Sequence, residues 1–535
     1  MIRFTVGRGV RLAAAAVAAS LLLAGCASGS SSSAGGGATS AAPVGLVGNQ
    51  GSGGDPVRGG TLTYATYAPV SNLDPATMLP SGATGGSEAA AIYDLLVRYN
   101  DETKKYEPQL AKTVQVSDDQ KTWTLTLRDG VKFSDGTPVD ADAVTWSINR
   151  YLDKRGISSQ LFKDSVAAMT APNPSTVVFA LNQPWPQFWS MLTTGPGLIA
   201  APSSMQSGTF TPIGAGPFSV ARFAPQDELV LEARPDYWGG TPNLDQLRFV
   251  NITGDQPKVD ALKSGGVQMV YLRSAETIDQ ERAAGAPGYL STENLGNVGL
   301  INNRPGRPGS DVRVRQAMAY AVNPDVIDQR VNAGKGMPGS TIFQPWSQWH
   351  SDVTPLGYDP DKARQLLDAA KADGYNGNLT YVAFAEPKAQ AQALAVQAML
   401  QSVGFTVTVS YANNAQDVTK KVYVDQDFDL ARGAFSVWEA APDVRLSSSL
   451  SSTSSSNAMG YQDPAMDALL ATSKSATTDD AHRAALADIQ RSVNEKVPFL
   501  AWGAQATLIE WQDNVHGVKP SLDGFMLFDK AWLKP

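Results

Sequence analysis

The chain has 535 residues, with 43 Lys and Arg against 51 Asp and Glu and a formal net charge of −8 at pH 7. This acidic balance, without a clustered basic run, argues against a nucleic-acid-binding protein, because phosphate binding requires grouped Lys and Arg. The single cysteine excludes an intramolecular disulfide, so the folded part must be stabilised by burial. About 475 residues follow the first 57, enough for two or three units with cores of their own.

Residues 1–25 have the three parts of a secretory signal: three arginines, an apolar run from Leu12 to Leu23, and small residues before Cys26. The apolar run is shorter than the roughly 20 residues that span a bilayer. The four residues Leu23 to Cys26 resemble the lipobox of bacterial lipoproteins, which implies cleavage before Cys26 and lipid attachment to its sulfur. The alternative is an ordinary signal peptide with an incidental cysteine.

Residues 26–57 are rich in Ser, Gly and Ala and carry no charge before Asp55. Such a composition buries too little apolar surface to fold. The segment is predicted to be a flexible tether, and a Ser/Gly coil of about 30 residues reaches about 30 Å.

The first predicted elements of the folded part are two strands and a helix. The stretch Gly59 to Pro69 is rich in β-branched residues and ends at a proline. The sequence "KTWTLTL" alternates apolar and polar residues, which is typical of a half-buried strand. The sequence "VDADAVTWSINRYLD" has helical spacing, with Asp140 or Asp142 as its N-cap.

Clearer helices follow later in the chain. One is predicted to begin at Asp311, and another has Asp359 at its cap, Pro360 in its first turn and Gly374 after its end. The stretches "PKAQAQALAVQAMLQSVGF" and "DDAHRAALADIQRSVNEKVP" have the same pattern. No period of 20 to 50 residues repeats, which argues against a solenoid or a propeller.

Four phrases in fixed order resemble the family 5 extracellular solute-binding proteins of ABC importers, the oligopeptide-, dipeptide- and nickel-binding group. They are "YEPQLAKTVQVSDDQKTWTLTLRDGVKFSDGTPVDADAV", "GAGPFSVARFAPQDELVLEARPDYWGG", "DVRVRQAMAYAVNPDVI" and "GYQDPAMDALLATSKSATTDDAHRAALADIQRSVNEKVPFLAW". Within them, the aromatic pair Tyr237 and Trp238 is predicted to pack inside the fold. The phrases identify the fold without binding the ligand themselves.

The resemblance implies an α/β, two-lobed, periplasmic-binding-protein-like fold of class II, with an extra inserted domain and a ligand cleft between the lobes. Lobe I is expected to gather residues 58–92, 206–305 and 504–535. The extra domain, on the side of lobe I, is expected at 93–205, and lobe II at 306–503. In such proteins the lobes close on the ligand by a hinge motion.

The resemblance also implies where the ligand is held. Peptide-binding members anchor the peptide amine with an Asp, and alignment on Pro442 places Trp438 there instead. Glu439 and Asp443 are the candidate replacement acids, because a buried ammonium needs a carboxylate. The alternative is that Asp443 caps a helix and Glu439 points to solvent. Phe435 and Trp438 are predicted as aromatic walls of the cleft.

Four further residues are candidate ligand contacts by family position. Lys388 stands where dipeptide binders carry an Arg for the peptide carboxylate, and a Lys lacks the bidentate fork of Arg. Met78 and Ser81 lie in a Gly/Ser loop, for which a plain surface loop is the alternative. Asn457 lies in a Ser-rich stretch, for which the alternative is a disordered loop.

The sequence therefore predicts a substrate-binding lipoprotein of an ABC importer, a monomer on the outer face of the cell membrane that captures peptides and delivers them to a permease and its ATPase. No cofactor, no metal and no catalysis are predicted. Nickel, haem or an oligosaccharide are the alternative ligands, with His350 as a haem candidate and His482 expected on an exposed helix face. An exported hydrolase is the alternative of another class, although no catalytic motif is present.

Overall fold

The computed structural model describes residues 44–51, 53–413 and 415–535. The predicted signal peptide, Cys26 and most of the predicted tether lie outside these residues. The part of the chain from Pro43 onward forms one compact unit. Among the helices of the described ranges, none has both the length and the apolar character that a membrane crossing needs.

The first half of the chain builds lobe I and the extra domain. Its elements are β1 (Gly45–Val47), β2 (Thr61–Thr66), α1 (Gly86–Tyr93), β3 (Val97–Asn100), β4 (Lys105–Pro108), β5 (Ala111–Val116), β6 (Thr122–Leu127), α2 (Ala141–Asp153), α3 (Ser159–Ser165), β7 (Val166–Asn173), β8 (Thr176–Leu181), β9 (Phe218–Ala224), β10 (Glu228–Ala233), β11 (Gln246–Asn251), α4 (Asp255–Lys263), β12 (Met269–Leu272), α5 (Ala275–Ala283) and β13 (Gly288–Ile301).

The second half builds lobe II and returns to lobe I. Its elements are α6 (Val312–Ala321), α7 (Pro324–Asn332), β14 (Met337–Pro338), α8 (Pro360–Ala372), β15 (Asn378–Phe384), α9 (Pro387–Ser402), β16 (Thr406–Ala412), α10 (Ala415–Thr419), β17 (Leu430–Gly433), α11 (Pro442–Leu450), α12 (Pro464–Ser475), α13 (Asp479–Lys496), β18 (Phe499–Trp511), β19 (Val515–His516), β20 (Lys519–Pro520), β21 (Met526–Leu527) and β22 (Trp532–Leu533).

One large sheet runs through both lobes, in the order β16-β15-β17-β13-β18-β12-β2-β11-β10-β9. The long antiparallel strands β13 and β18 are common to the two halves. Their register breaks between Glu293 and Asn297, where Leu295 has a φ of 52°. A non-glycine residue in this left-handed region is uncommon, so the break is a specific irregularity at the crossing between the lobes.

The extra domain has its own four-stranded antiparallel sheet, ordered β5-β6-β8-β7. The predicted alternation is confirmed, because Trp123, Leu125 and Leu127 of β6 are buried. The predicted helix is α2, and its N-cap is Asp140, whose carboxylate accepts from the Ala143 main-chain N–H. The caps predicted at Asp311 and Asp359 are also present.

The pair Tyr237 and Trp238 packs inside the fold as predicted. Both side chains donate to the buried carboxylate of Asp94, each at 2.9 Å. Within the described ranges, the buried apolar residues form four clusters, one in lobe I, one centred on the extra domain and two in lobe II. The structure is the predicted two-lobed α/β fold, whereas the exact domain limits stay a prediction.

Part of the predicted tether is structured. Gly45–Val47 form β1, which pairs antiparallel with Gly288–Leu290 at the beginning of β13. The prediction of a flexible coil is wrong for these three residues, because the open edge of β13 offers main-chain hydrogen bonds to any short segment with free donors and acceptors.

Candidate ligand-binding site

The parallel strands of both lobes end close to one another. Strands β2 and β12 of lobe I are parallel, as are β15 and β17 of lobe II. Across the lobes, the Nζ of Lys388, just after β15, donates to the hydroxyl of Ser274, just after β12, at 2.7 Å. Ligands of open α/β sheets bind at the carboxyl ends of such strands, so the site is expected here.

Three side chains at these strand ends, Tyr67, Arg273 and Arg432, form what we call the arginine cluster. The Arg273 guanidinium lies 5.3 Å from the centre of the Tyr67 ring, and one of its nitrogens is 3.9 Å from a carboxylate oxygen of Glu293. The Nε of Arg432 donates to the side-chain oxygen of Gln392 at 3.1 Å. A carboxylate thus accompanies Arg273, whereas Arg432 is held by a neutral amide.

The charges of this cluster act on one another. Burial lowers the pKa of Arg432, and the positive charge of Arg273 lowers it further. Burial also acts to lower the pKa of Arg273, but Glu293, Tyr271 and Tyr67 together outweigh it and raise the pKa above its usual value. None of the ion pairs in the described part of the chain involves Arg432. The cluster therefore keeps positive charge suited to a ligand carboxylate, which guanidinium groups bind in bidentate fashion.

A second contact between the lobes centres on Asp523. Its carboxylate accepts from the indole Nε1 of Trp438 at 2.7 Å and from Arg445 at 3.2 Å. The Arg445 guanidinium also lies 4.4 Å from the centre of the Trp438 ring. Burial raises the pKa of the Asp523 carboxyl to about 7, although the charge of Arg445 opposes the shift. The two lobes are therefore in direct contact, and a titrating carboxyl lies at the contact.

The Gly/Ser loop of lobe I passes close beside Asp523. A Cβ added to Gly82 would lie 2.1 Å from the main-chain oxygen of Asp523, so only a glycine allows this approach. Asp523 itself has a φ of 59°. The loop is thereby fixed at the interface between the lobes.

A cavity of about 430 Å³ borders this contact, and we call it the acidic cavity. Residues of lobe I, the extra domain and lobe II line it together. It carries four carboxylates, one lysine and six aromatic side chains: Asp101, Glu293, Glu439 and Asp523; Lys104; Tyr99, Tyr106, Tyr289, Trp346, Trp349 and Trp438. A volume of this size is within the range of small-molecule and side-chain sites.

Two of the predicted ligand residues line this cavity. Trp438 and Glu439 both contribute to its wall. The Glu439 carboxylate is held in place, since it accepts from Asn294 of β13 and from Ser347 of lobe II, each at 2.6 Å. Phe435 instead packs edge-on against Phe499 at 4.8 Å, as part of a lobe II core cluster. Glu439 therefore does not point to bulk solvent.

The structure places Asp443 in the interior. It is 1% exposed, and its carboxylate accepts from Ser473 at 2.6 Å and lies 3.0 Å from the Nε2 of His482. Buried side chains thus lie against both of its oxygens in this structure, and a contact between Asp443 and a ligand stays a prediction. His482 is 4% exposed, so the prediction of an exposed histidine is wrong.

Asn457 is likewise occupied within its own loop. Its amide nitrogen donates to the main-chain oxygens of Ser451 and Tyr461, and its oxygen accepts from the Tyr461 N–H. It is buried, so the structure does not offer it to a ligand. Nor is the Ser-rich stretch without structure, because these bonds close the loop.

Lys388, Met78 and Ser81 have different surroundings. Lys388 bridges the lobes through Ser274, as described above. Met78 is buried in the lobe I core, and its contact with a ligand stays a prediction. The Ser81 hydroxyl is 2.9 Å from that of Thr84, in the loop that contacts Asp523.

The histidines have protein partners in this structure. The Nδ1 of His350 lies 3.0 Å from the main-chain oxygen of Phe343. His516 stacks near Trp532, with ring centres 4.6 Å apart. Within the described residues, no three His, Cys, Asp or Glu side chains are grouped so that they could hold a metal ion.

Sequence reasoning missed the residues that meet at the interface, all of them ionisable and charged except the tyrosine: Tyr67, Arg273, Glu293, Arg432, Arg445 and Asp523. A usable signal was present for two of them. Arg273 directly follows the apolar strand "MVYL", and Arg432 interrupts the buried strand "LARG". Asp523 gave no such signal, because "LDGF" has the composition of an ordinary turn.

Comparison with known proteins gives consistent matches. Residues 105–457 match the model of the bacterial extracellular solute-binding proteins, family 5 Middle. A Brucella ovis protein named as an ABC transporter peptide-binding protein is 29% identical over 483 residues, covering 84% of this chain and 87% of that protein. The dipeptide-binding protein of Escherichia coli K12 is 29% identical over 345 residues, covering 59% and 64%.

A solved structure extends the similarity to the fold. The periplasmic binding protein DppA of Helicobacter pylori, in complex with the peptide STSA, superposes with a TM-score of 0.76 at 22% identity. The match covers 90% of this chain and 99% of that one. At this identity, the likeness concerns the fold.

Proposed function

The chain belongs to the bacterial extracellular solute-binding proteins of family 5, and on that premise we propose that it captures peptides outside the membrane and delivers them to an ABC permease. Two of the similar proteins are named for peptide or dipeptide binding. The family consists of transport proteins that bind a substrate, and we propose that this chain likewise returns its ligand chemically unchanged.

One observation favours a peptide as the ligand. Arg273 and Arg432 bring two guanidinium groups to the carboxyl ends of strands from opposite lobes, with Glu293 as the carboxylate beside one of them. The C-terminal carboxylate of a peptide supplies the missing negative charge, and a planar carboxylate matches the guanidinium fork. A ligand held this way contacts both lobes and so favours the state in which they touch.

Peptide acids and peptide amides test this directly. The chain without residues 1–26, which leaves the compact unit from Pro43 intact, is titrated with alanine tetrapeptide and its C-terminal amide. The acid is expected to bind at least about tenfold more tightly, the scale of one charge-assisted pair. In Arg432→Gln this difference is expected to shrink, whereas in the matched control Arg364→Gln, a partly exposed arginine on α8, it is expected to persist.

Native mass spectrometry of the purified protein identifies the ligand class without assumption. A ladder of peptide masses is expected. A sugar, haem or metal mass would contradict the assignment and point to another ligand of the same transport role. Conversion of a bound compound, in place of its one-to-one return, would contradict a purely binding role.

We also propose that the mature chain is a monomer tethered to the outer face of the cell membrane through lipid on Cys26. The sequence motif ending at Cys26 supports this. Two or three acyl chains hold a protein firmly to a bilayer, whereas one chain binds marginally. The mass of the mature protein tests it: a diacylglyceryl addition on a chain beginning at Cys26 is expected, and a Cys26→Ser chain released into the medium. An unmodified thiol in the mature chain would contradict the proposal.

A further inference from the structure

The acidic cavity has a composition that carboxylate binding does not explain. We infer that it is a side-chain subsite for a lysine or arginine of the bound peptide, so that the protein selects cationic peptides. This inference rests on the proposed function and adds a substrate class to it.

The cavity has more negative than positive charge. Three of its four carboxylates have a cationic neighbour, namely Lys104 for Asp101 at 2.8 Å, Arg273 for Glu293 at 3.9 Å and Arg445 for Asp523 at 3.2 Å. The remaining one, Glu439, accepts only from neutral groups: the side chains of Asn294 and Ser347 and the main-chain N–H of Gln348. A buried carboxylate without a cation is costly, and a cationic ligand group would relieve that cost.

Two buried polar atoms of wall residues make no hydrogen bond among the described residues. They are the hydroxyl of Thr292, which is 8% exposed, and the Glu293 carboxylate oxygen that lies 3.9 Å from Arg273. Both line the cavity. Buried polar groups in native proteins are normally hydrogen-bonded, so these two missing hydrogen bonds favour a donor that arrives with the ligand. An ammonium or guanidinium group brings several such donors.

The remaining wall suits the rest of the same side chain. Trp346, Trp349 and Trp438, together with three tyrosines, surround the cavity. Aromatic faces attract a desolvated cation and pack against the methylene groups of Lys and Arg. An acidic side chain would meet repulsion from the carboxylates. A purely apolar one would leave Glu439 without a cation, which disfavours it as well.

Host peptides with one variable side chain test the inference. Alanine tetrapeptide is compared by calorimetry with versions carrying Lys, Arg, norleucine or Glu at each position in turn. At one position, Lys and Arg are expected to bind at least about tenfold more tightly than norleucine, as expected for a desolvated cation–π contact with a charge partner. Glu is expected to bind weakest there.

Variants of the cavity wall show whether the acidic cavity causes the preference for a cationic side chain. The quantity compared is the ratio of the affinities for the Lys and norleucine peptides. Glu439→Gln and Glu293→Gln are each expected to lower the ratio at least about threefold, and measuring both keeps the test independent of whether one variant folds. Glu276→Gln, an exposed glutamate on α5, is the matched control and should keep the wild-type ratio. Equal binding of all side chains would overturn the inference and leave the proposed function standing. Absence of any peptide binding would overturn both.

Discussion

Neutralising Asp523 is expected to change how the stability of the protein depends on pH. In the folded chain, burial raises the pKa of this carboxyl from 3.8 to about 7. The folded state therefore holds the proton more tightly than the unfolded state does. The resulting stabilisation is fully present below pH 4 and is lost as pH rises to about 7, because the unfolded carboxyl ionises first.

The size of this loss follows from the shift. Each pKa unit corresponds to about 1.4 kcal/mol, so the free energy of unfolding falls by about 3 kcal/mol between pH 5 and pH 8 through this one group and is flat above. Asp523→Asn keeps the shape of the side chain and removes the titration. The free energy of unfolding of the variant minus that of wild type is expected to be about 3 kcal/mol larger at pH 8 than at pH 5.

Urea unfolding of both proteins at pH 5 and pH 8 measures this double difference, in which the slopes from other buried acids cancel. Asp129→Asn, whose side chain is 86% exposed, is the control and should follow the wild-type profile. Parallel profiles of wild type and Asp523→Asn would refute the reasoning. They would mean that Asp523 is hydrated in solution, with the lobes apart.

Three further substitutions test the packing. Trp123→Ala removes a side chain that is 1% exposed and packs edge-on against Phe188. The free energy of unfolding in urea should fall by about 3–5 kcal/mol, and a fall of less than about 1 kcal/mol would contradict the assigned core. Asn302→Ala removes a buried donor to two main-chain carbonyls, with an expected cost of about 1–3 kcal/mol in the same assay. Gly82→Ala has no room for its Cβ, so its melting temperature should fall, whereas Gly357→Ala, in open space, should leave it unchanged.

The elements that depend on neighbours in the sequence were predictable. The alternation around Trp123 determined a strand with one buried face, and Asp140 capped a helix because its carboxylate reaches a main-chain N–H three residues later. The order of the four phrases, the first three of which lie in the matched range 105–457, indicated the two-lobed fold. Each of these signals is local, so no knowledge of the partner element was required.

Only the tertiary structure decided which residues form the site. Trp438 and Asp523 are 85 positions apart in the chain, and their hydrogen bond exists because the lobes meet. The sequence suggested that Asp443 faces a ligand and that His482 faces solvent. In the structure both side chains are buried, and they contact each other. Burial and pairing of a charge depend on what another element places opposite it. The sequence by itself thus determined the fold and the family, whereas the packing of one lobe on the other determined where the charges of the site lie.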